Sequence, residues 1–209
     1  MRQRKSALGE GSWLTATKME TEKKGKQAKK KDLIAEIRMP EGLSVNIVKG
    51  ILTLKGQKGE VKKDFPDKKI TMESKGNLII LKAGRFSKVK KKIIKSYAAH
   101  IKNMIRGSLE GHKYMLKICS GHFPMNVSVN KNELTVKNFL GEKVPRVLKL
   151  KEGAAVKVEG DKISVESASK ETAGQISADI EQLTRRTRYD LRIFQDGIYI
   201  INKDGKEVR

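Results

Sequence analysis

Apolar and polar positions alternate along short segments of this chain, and the pattern recurs after a constant shift of 82 positions. Apolar residues agree in spacing between the two copies, while most polar residues differ, which indicates a repeated core. The matching positions are Val45, Ile47, Leu52, Thr53, Leu54, Lys55, Gly59 and Glu60 in the first copy and Val127, Val129, Leu134, Thr135, Val136, Lys137, Gly141 and Glu142 in the second. We therefore predict two tandem copies of one small α+β unit.

The first repeat begins near Leu33, where apolar residues become regular. Segments with period-two alternation, separated by glycine-containing turns, predict strands and hairpins. These segments are Ser44–Val48, Ile51–Lys55, Val61–Phe65, Ile70–Glu73 and Leu78–Lys82. Apolar residues at helical spacing then predict a helix that begins at Ser87 and ends at Gly107.

The second repeat shows the same order of elements. Its predicted strands are Tyr114–Ser120, Val127–Val129, Glu133–Lys137, Arg146–Lys151, Ala155–Val158 and Lys162–Val165. A helix is predicted from about Ser169 to Leu183. One helix packed on each antiparallel or mixed sheet gives a two-layer α+β domain, with the other sheet face free to meet a partner. We place the two repeats at residues 33–112 and 113–205.

The first 32 residues differ from the rest. They hold ten Lys and Arg against four Asp and Glu, and they have almost no apolar periodicity. Such a segment buries too little surface to offset the entropy of ordering, which predicts a disordered basic extension. A solvated tail without a role is an equal alternative. Met19 is a second possible initiator methionine.

Charge narrows the class of partner. The chain has 46 Lys and Arg against 24 Asp and Glu, a formal net charge of +22. Solubility needs a magnitude of only about 2 to 8, so a polyanion is expected, and nucleic acid is the leading one. No apolar run reaches the roughly 18 residues of a membrane span. The single cysteine excludes an intrachain disulfide and fits a reducing compartment, so we expect a cytoplasmic protein.

Catalytic, metal and cofactor chemistry find little support. His112, Cys119 and His122 lie close in the sequence, but structural zinc needs four ligands, and strand alternation separates His112 from Cys119. We expect a half-buried thiol and surface histidines. No triad, P-loop or dinucleotide motif is present, so we predict no enzyme and no cofactor. Aromatic residues make up only 5% of the chain, which favours recognition of folded RNA by phosphate contact and shape over base stacking.

Two basic clusters are candidate phosphate sites. The predicted first helix has no acidic residue between Ser87 and Gly107, and its candidate secondary contacts are Lys88, Lys91, Lys92 and Lys95. A solvated helix face is the alternative, although such faces usually mix charges. The second cluster follows the last helix and comprises Arg185, Arg186, Arg188 and Arg192. The arginine fork makes directional bonds to phosphate or guanine, so we rank this cluster as the more specific site.

The residues around the second cluster resemble a known family. Arg192–Ile200, followed by Lys203, is similar to the C-terminal signature of the large-subunit ribosomal protein numbered six in bacteria and archaea and nine in eukaryotes. Three further segments are similar to that family, namely His122–Met125, Asn138–Lys143 and Asp179–Arg185. The resemblance covers about Ile37 to Lys203. The residues at Gln182–Arg185 and Phe194–Gly197 favour the archaeal form of the family.

The resemblance implies a structural constituent of the large ribosomal subunit, with large-subunit rRNA and neighbouring ribosomal proteins as partners. It also implies a position near the sarcin–ricin region beside the translation factors, and no autonomous homo-oligomer. Carried over from the family, Arg192, Gln195, Asp196, Gly197 and Lys203 belong to the signature around the rRNA contact. Lys143, in another segment that resembles the family, is a further candidate rRNA-binding residue. Gly197 is expected to let the backbone approach the RNA closely.

The chain departs from the family pattern at Arg186, usually an apolar residue, and at Tyr189, usually a base. Either the loop docks differently, or an arginine has been added to the same contact. An alternative function is a non-ribosomal RNA-binding regulator built on the same duplicated domain.

Overall fold

The computed structural model of the protein describes residues 32–40, 42–67, 69–190 and 192–208. The predicted basic extension, residues 1–32, lies outside the described residues except for Asp32. By Cα position the chain forms two compact units. One holds the described residues within 1–41, 47–51 and 64–100, and the other those within 42–46, 52–63 and 101–209. The boundaries expected for the two repeats stay a prediction.

The order of elements confirms the duplicated α+β organisation. Six strands and a helix are followed by six strands and a helix, and a strand of seven residues and one of two residues close the described chain. The strands are β1 (Leu33–Arg38), β2 (Ser44–Val48), β3 (Ile51–Gly56), β4 (Gly59–Asp64), β5 (Thr71–Lys75), β6 (Leu78–Ala83), β7 (His112–Cys119), β8 (Asn126–Asn130), β9 (Glu133–Lys137), β10 (Arg146–Lys149), β11 (Ala154–Glu159), β12 (Lys162–Ser167), β13 (Gly197–Lys203) and β14 (Lys206–Glu207). The helices are α1 (Lys88–Leu109) and α2 (Lys170–Leu183).

The strands of each repeat are divided over two sheets. The first repeat has the strand orders β1-β6-β5 and β2-β3-β4. The second has β10-β9-β8 and a five-stranded sheet, β11-β12-β7-β13-β14. The second repeat therefore keeps the arrangement of the first and adds β13 and β14 beside β7.

The core of the second unit lies on one face of the five-stranded sheet. Along β7, buried residues alternate with exposed or half-buried ones, as a strand with one covered face requires. The buried cluster draws on β7, β9, β12, β13, α2 and the turn after β9, and consists of Tyr114, Leu116, Ile118, Leu134, Val136, Phe139, Ile163, Val165, Ala173, Ile176, Ile180, Ile198 and Ile200. Along the strands of this sheet, the side chains that alternate with the buried ones point to the opposite face, which we call the open face.

Two expectations about the end of the first helix were wrong. The helix α1 continues through Gly107 to Leu109, and Gly111, with φ of +80°, follows it. Gly107 is needed inside the helix, because a Cβ there would overlap the Ala168 carbonyl and lie 2.9 Å from the His112 ring. His112, expected at the surface, is buried, and its Nε2 lies 3.0 Å from the carbonyl oxygen of Asn103.

The alternation of apolar and polar residues did not predict two strands, each of which lies beside a central strand of its sheet. Leu33–Arg38 forms β1 and pairs antiparallel with β6, while Gly197–Lys203 forms β13 and pairs antiparallel with β7. Neither helix in the described part of the chain is long and apolar enough to cross a bilayer.

Candidate nucleic-acid interface

Three loops that are distant in sequence meet at one end of the five-stranded sheet. They are residues 120–125 after β7, residues 138–145 after β9, and the arginine loop, residues 184–196 between α2 and β13. Asn138 Nδ2 donates to the Pro124 carbonyl over 3.0 Å, which ties the first two loops together. The segments that resemble the ribosomal family therefore converge at one place.

Asp196 closes the arginine loop against the first of these loops. Its carboxylate is buried, and Oδ1 accepts hydrogen bonds from the backbone N–H groups of Gly121 (2.6 Å) and His122 (3.0 Å). Nδ1 of the His122 ring lies 2.5 Å from Oδ2. Burial raises the pKa of the Asp196 carboxyl, but the hydrogen bonds from His122 and Gly121 outweigh it and hold the pKa below its usual value. Asp196 thus holds the loop from inside.

A series of rings supports the same loop. The His122 ring stacks on Phe194 with centroids 4.9 Å apart, and Tyr189 meets Phe194 edge-on at 4.9 Å. The Arg186 guanidinium lies 4.9 Å from the centroid of the Tyr189 ring. The two departures from the family pattern, Arg186 and Tyr189, therefore contact one another, a cation–π pair inside the loop.

Glu142 braces the arginine loop to the loop after β9. Both of its carboxylate oxygens accept from Arg146, from Nε and Nη2 at 2.8 Å each, and Oε1 also accepts from Arg186. Hydrogen bonds from Arg146, then Arg186, lower the pKa of Glu142 to about 2. Arg146 Nη1 also donates to the Leu183 carbonyl over 2.6 Å. That carbonyl ends α2, where backbone acceptors lack helical partners and a cation is favoured.

The two ends of the loop meet through Thr184. This residue is buried, its Oγ1 accepts from the Ile198 N–H over 2.9 Å, and its hydroxyl donates to the Glu181 carbonyl over 3.2 Å. Oε1 of Glu181 accepts from the Ile200 N–H over 3.3 Å. The exit from α2 is thereby fixed to the start of β13.

Most of the predicted contact residues lie exposed on or beside this braced loop. They are Arg185, Arg188, Arg192, Gln195 and Lys143. Within the loop the Arg192 N–H donates to Asp190 Oδ1 over 2.9 Å, and Arg188 has a left-handed φ of +73°. Arg185, Arg186 and Arg188 line a cleft of about 750 Å³. The geometry therefore presents guanidinium groups from a backbone held at several points.

Two predicted residues lie elsewhere. Gly197 is buried, and Tyr199 occupies the space above it, with ring atoms 3.3 Å from the position of a Cβ. The missing side chain thus makes room for Tyr199. Lys203 pairs with Tyr114, whereas Gly197 pairs with Cys119 at the other end of β7. Lys203 is six positions beyond Gly197 along the strand, a distance of about 20 Å, so Lys203 does not join the arginine loop.

The lysine face of α1, defined as Lys88, Lys91, Lys92 and Lys95, is exposed along the helix. The first turn of α1 contains no acidic residue. Lys90 differs, because its ammonium donates to the Gly84 carbonyl. A phosphate-binding role for the lysine face stays a prediction.

In the part of the chain that the structure describes, no group of three or more His, Cys, Asp and Glu side chains could hold a metal ion. Cys119 is half-buried with a free thiol, and His122 belongs to the Asp196 cluster.

Sequence reasoning missed the bracing roles of Glu142, Arg146 and His122. Glu142 and Arg146 are four residues apart, a spacing that signals an ion pair only on a helix. Glu142 directly follows a short 3₁₀ turn, Phe139–Gly141, and its own backbone is extended, so no helix connects it to Arg146. For His122 the one available signal was its place in a segment that resembles the family.

A family model of ribosomal protein L6 matches residues 39–111 and 123–197, which is more than half of the chain. The chain belongs to the ribosomal protein L6 family. The model matches twice, once in each repeat, which agrees with the duplication derived from the 82-residue shift. Membership confirms the predicted family and the expectation of a structural ribosomal protein rather than an enzyme.

Curated relatives from archaea carry the name large ribosomal subunit protein uL6. The chain is 40% identical to the protein of Methanocella arvoryzae over 171 residues, which cover 81% of this chain and 97% of the relative. It is 41% identical to that of Methanosarcina mazei over 173 residues, covering 83% and 98%. It is 40% identical to that of Methanobrevibacter smithii over 169 residues, covering 81% and 95%. The predicted archaeal type of the L6 family is confirmed.

Proposed function

We propose that the chain is a structural constituent of the large ribosomal subunit in the cytoplasm and that its second repeat binds folded large-subunit rRNA through the arginine loop. Membership of the L6 family and the names of its relatives support the assignment to the subunit. A net charge of +22 supports a polyanionic partner. Neighbouring ribosomal proteins complete the environment.

The observation that carries the proposal is the bracing of the arginine loop. Asp196, Glu142 and Thr184 fix the loop to three other segments, so its backbone needs little further ordering when RNA binds. The planar guanidinium of an arginine on such a loop can make bidentate bonds to phosphate or to a guanine edge. Specific contact is therefore concentrated in the loop.

The predicted residues then divide by role. Arg185, Arg188, Arg192, Gln195 and Lys143 are exposed and contact RNA directly. Arg186, Asp196 and Gly197 are positioning residues, because they bond or pack within the loop and its surroundings. Lys203 and the lysine face of α1 add less specific phosphate contacts. The finer location, near the sarcin–ricin region beside the translation factors, rests on the family resemblance.

The test removes the three exposed arginines together, as Arg185→Ala, Arg188→Ala and Arg192→Ala. Each lost phosphate contact lowers the slope of log K against log salt by about 0.7 to 0.9, so a fall of about 2 to 3 in the slope is expected for rRNA binding, with poor incorporation into the large subunit. The matched control replaces three exposed lysines outside the arginine loop, Lys55, Lys75 and Lys149, with Ala. Normal incorporation of the arginine variant would refute the site.

A second experiment tests the alternative function, a free RNA-binding regulator. A core subunit protein stays with the particle during sedimentation through high-salt sucrose, whereas a regulator is released. Release of the wild-type chain from the native large subunit under these conditions would contradict the structural role.

A further inference from the structure

Tyr199 stands out on the open face of the five-stranded sheet. It lies in β13, and its side chain is 40% exposed. In the sheet register Tyr199 is directly opposite Lys117 of β7, and Lys117 is directly opposite Lys162 of β12. Residues directly opposite across antiparallel strands point to the same face. An exposed ring and two ammonium groups therefore lie side by side.

The two lysines are an unfavourable pair in the isolated protein. Like charges directly opposite on neighbouring strands destabilise a sheet, with Cβ atoms only about 4.5 to 5.5 Å apart. Both lysines are exposed, and within the described ranges neither has a salt bridge, although Glu159 is opposite Lys162 on its other side. Lys113, further along the same face, is neutralised by Glu166 at 3.2 Å. An anion placed near Lys117 and Lys162 would remove the repulsion.

The ring of Tyr199 is held in position by the backbone beneath it. Its ring and hydroxyl atoms lie 3.3–3.4 Å from where a Cβ of Gly197 would stand, so the ring covers the glycine. Burial raises the pKa of the Tyr199 hydroxyl, and Cys119, Asp196 and Glu181 raise it further. The group is therefore a neutral phenol at physiological pH, which introduces no repulsion toward phosphate.

Tyr199 is also continuous with the arginine loop. It lines the same cleft as Arg185 and Arg188. An RNA segment that enters this cleft would lie beside the Tyr199 ring, and Lys117 is the residue opposite Tyr199 in the sheet. This continuity, together with the cationic neighbours, selects a nucleic acid over a protein or a membrane as the occupant.

We propose that Tyr199 is a stacking site for one unpaired base of the bound rRNA and that Lys117 and Lys162 hold the phosphate beside that base. Unpaired bases are recognised on exposed aromatic rings flanked by cations. This inference rests on the proposed rRNA-binding function, since the same RNA must reach the arginine loop.

The probe is full-length large-subunit rRNA transcribed in vitro, titrated with the full chain. Tyr199→Leu should lower the affinity by about 5- to 150-fold, the range for one stacked base, without changing the salt slope, because no charge is lost. Tyr199→Phe keeps the ring and should bind within about twofold of wild type. Lys117→Ala with Lys162→Ala should lower the salt slope by about 1 to 2. Ultraviolet cross-linking followed by mass spectrometry should find a nucleotide on Tyr199.

The outcomes separate this inference from the function on which it rests. If Tyr199→Leu binds like wild type while the triple arginine variant binds poorly, the stacking site is refuted and the arginine site stands. If the arginine variant binds normally, the arginine site is refuted. A weaker Tyr199→Leu variant with an equally lowered free energy of unfolding, and no nucleotide cross-linked to Tyr199 in the wild type, would also overturn the proposal, because the ring would then serve packing alone.

Discussion

The arginine loop and the lysine face of α1 are both exposed and basic, yet they are built in opposite ways. The loop has little regular secondary structure, and its shape depends on partners far away in the sequence, among them Asp196 with His122 and Glu142 with Arg186. The lysine face lies on a helix whose own backbone bonds fix it, and its flexible side chains extend into solvent.

The difference shows that charge density does not by itself make a specific site. A lysine binds phosphate as a point charge at the end of a flexible stem, whereas the planar guanidinium of an arginine, here on a braced loop, makes directional bonds. The acidic residues around the arginine loop, which reduce its net charge, are the ones that give it a defined shape. Removing a brace should therefore cost more stability than removing a surface cation.

The largest effect is expected for Asp196→Ala. The change leaves the N–H groups of Gly121 and His122 without their acceptor at a half-buried site, and hydrogen bonds to a charged group contribute about 1.5 to 3 kcal/mol each. We expect the free energy of unfolding to fall by about 3 kcal/mol, measured by urea denaturation. Glu152→Ala, at an exposed acidic position, is the control and should be close to wild type. Equal stability of the two variants would contradict the role of Asp196.

Glu142→Gln should come next, and its effect depends on pH. The folded pKa of Glu142 is about 2 against an ordinary value of 4.5. The stabilisation is therefore fully present above about pH 5 and is lost as the pH falls toward 2. At neutral pH we expect a loss on the order of 2 kcal/mol, measured by denaturation at a series of pH values. The gap between wild type and variant should narrow on acidification, and a constant gap from pH 7 to pH 3 would show that the ion pairs with Arg146 and Arg186 contribute nothing.

A smaller loss is expected for Thr184→Val. The valine keeps the shape but leaves the Ile198 N–H unpaired, at a cost of about 1 to 2 kcal/mol. Thr187→Val, at an exposed position of the same loop, is the matched control. Chemical denaturation of both variants decides the question, since equal values would remove Thr184 from the set of braces.

The lysine face should give the smallest change in stability, with the opposite sign. Alanine at all four positions removes like-charged neighbours three and four residues apart and improves helix propensity, so the free energy of unfolding should stay level or rise by up to about 1 kcal/mol. RNA binding should lose up to about 3 to 4 in salt slope, to the same extent for specific and unrelated RNA. A selective loss of rRNA binding would mean that this helix carries specificity and would remove the contrast with the loop.

Local patterns predicted most of the fold. The Lys49-Gly50 turn, where φ is +48° and +86°, matches the hairpin expected between β2 and β3, and α2 begins after Ser169, whose side chain caps it. The strand β13 was missed because its residues were interpreted as a signature loop, and its partner β7 lies about 80 positions earlier. Gly107 was interpreted as the end of the helix, although it lies inside it. A glycine is needed there because Ala168 and His112 pack against it, and these tertiary contacts leave no signal in the local sequence.

The candidate site was predictable in its residue types and not in their division of labour. Arg185, Arg188 and Arg192 lie exposed in one loop, as a cluster so close in sequence must. The partners of Arg186 and Asp196 are 44 and 74 positions away in the sequence. No periodicity connects such positions. The sequence alone therefore does not distinguish a residue that contacts a partner from one that braces the loop.

The side chains that fasten α2 to β13 have a consequence for the chain before it meets RNA. Between Gly197 and Ile201, β13 has β7 on one side and no described strand on the other, which would leave a ready template for another molecule's strand. Thr184 and Glu181 occupy the N–H groups of Ile198 and Ile200 along that border. A newly made copy is thereby protected from self-association through this strand while it waits for its place in a particle.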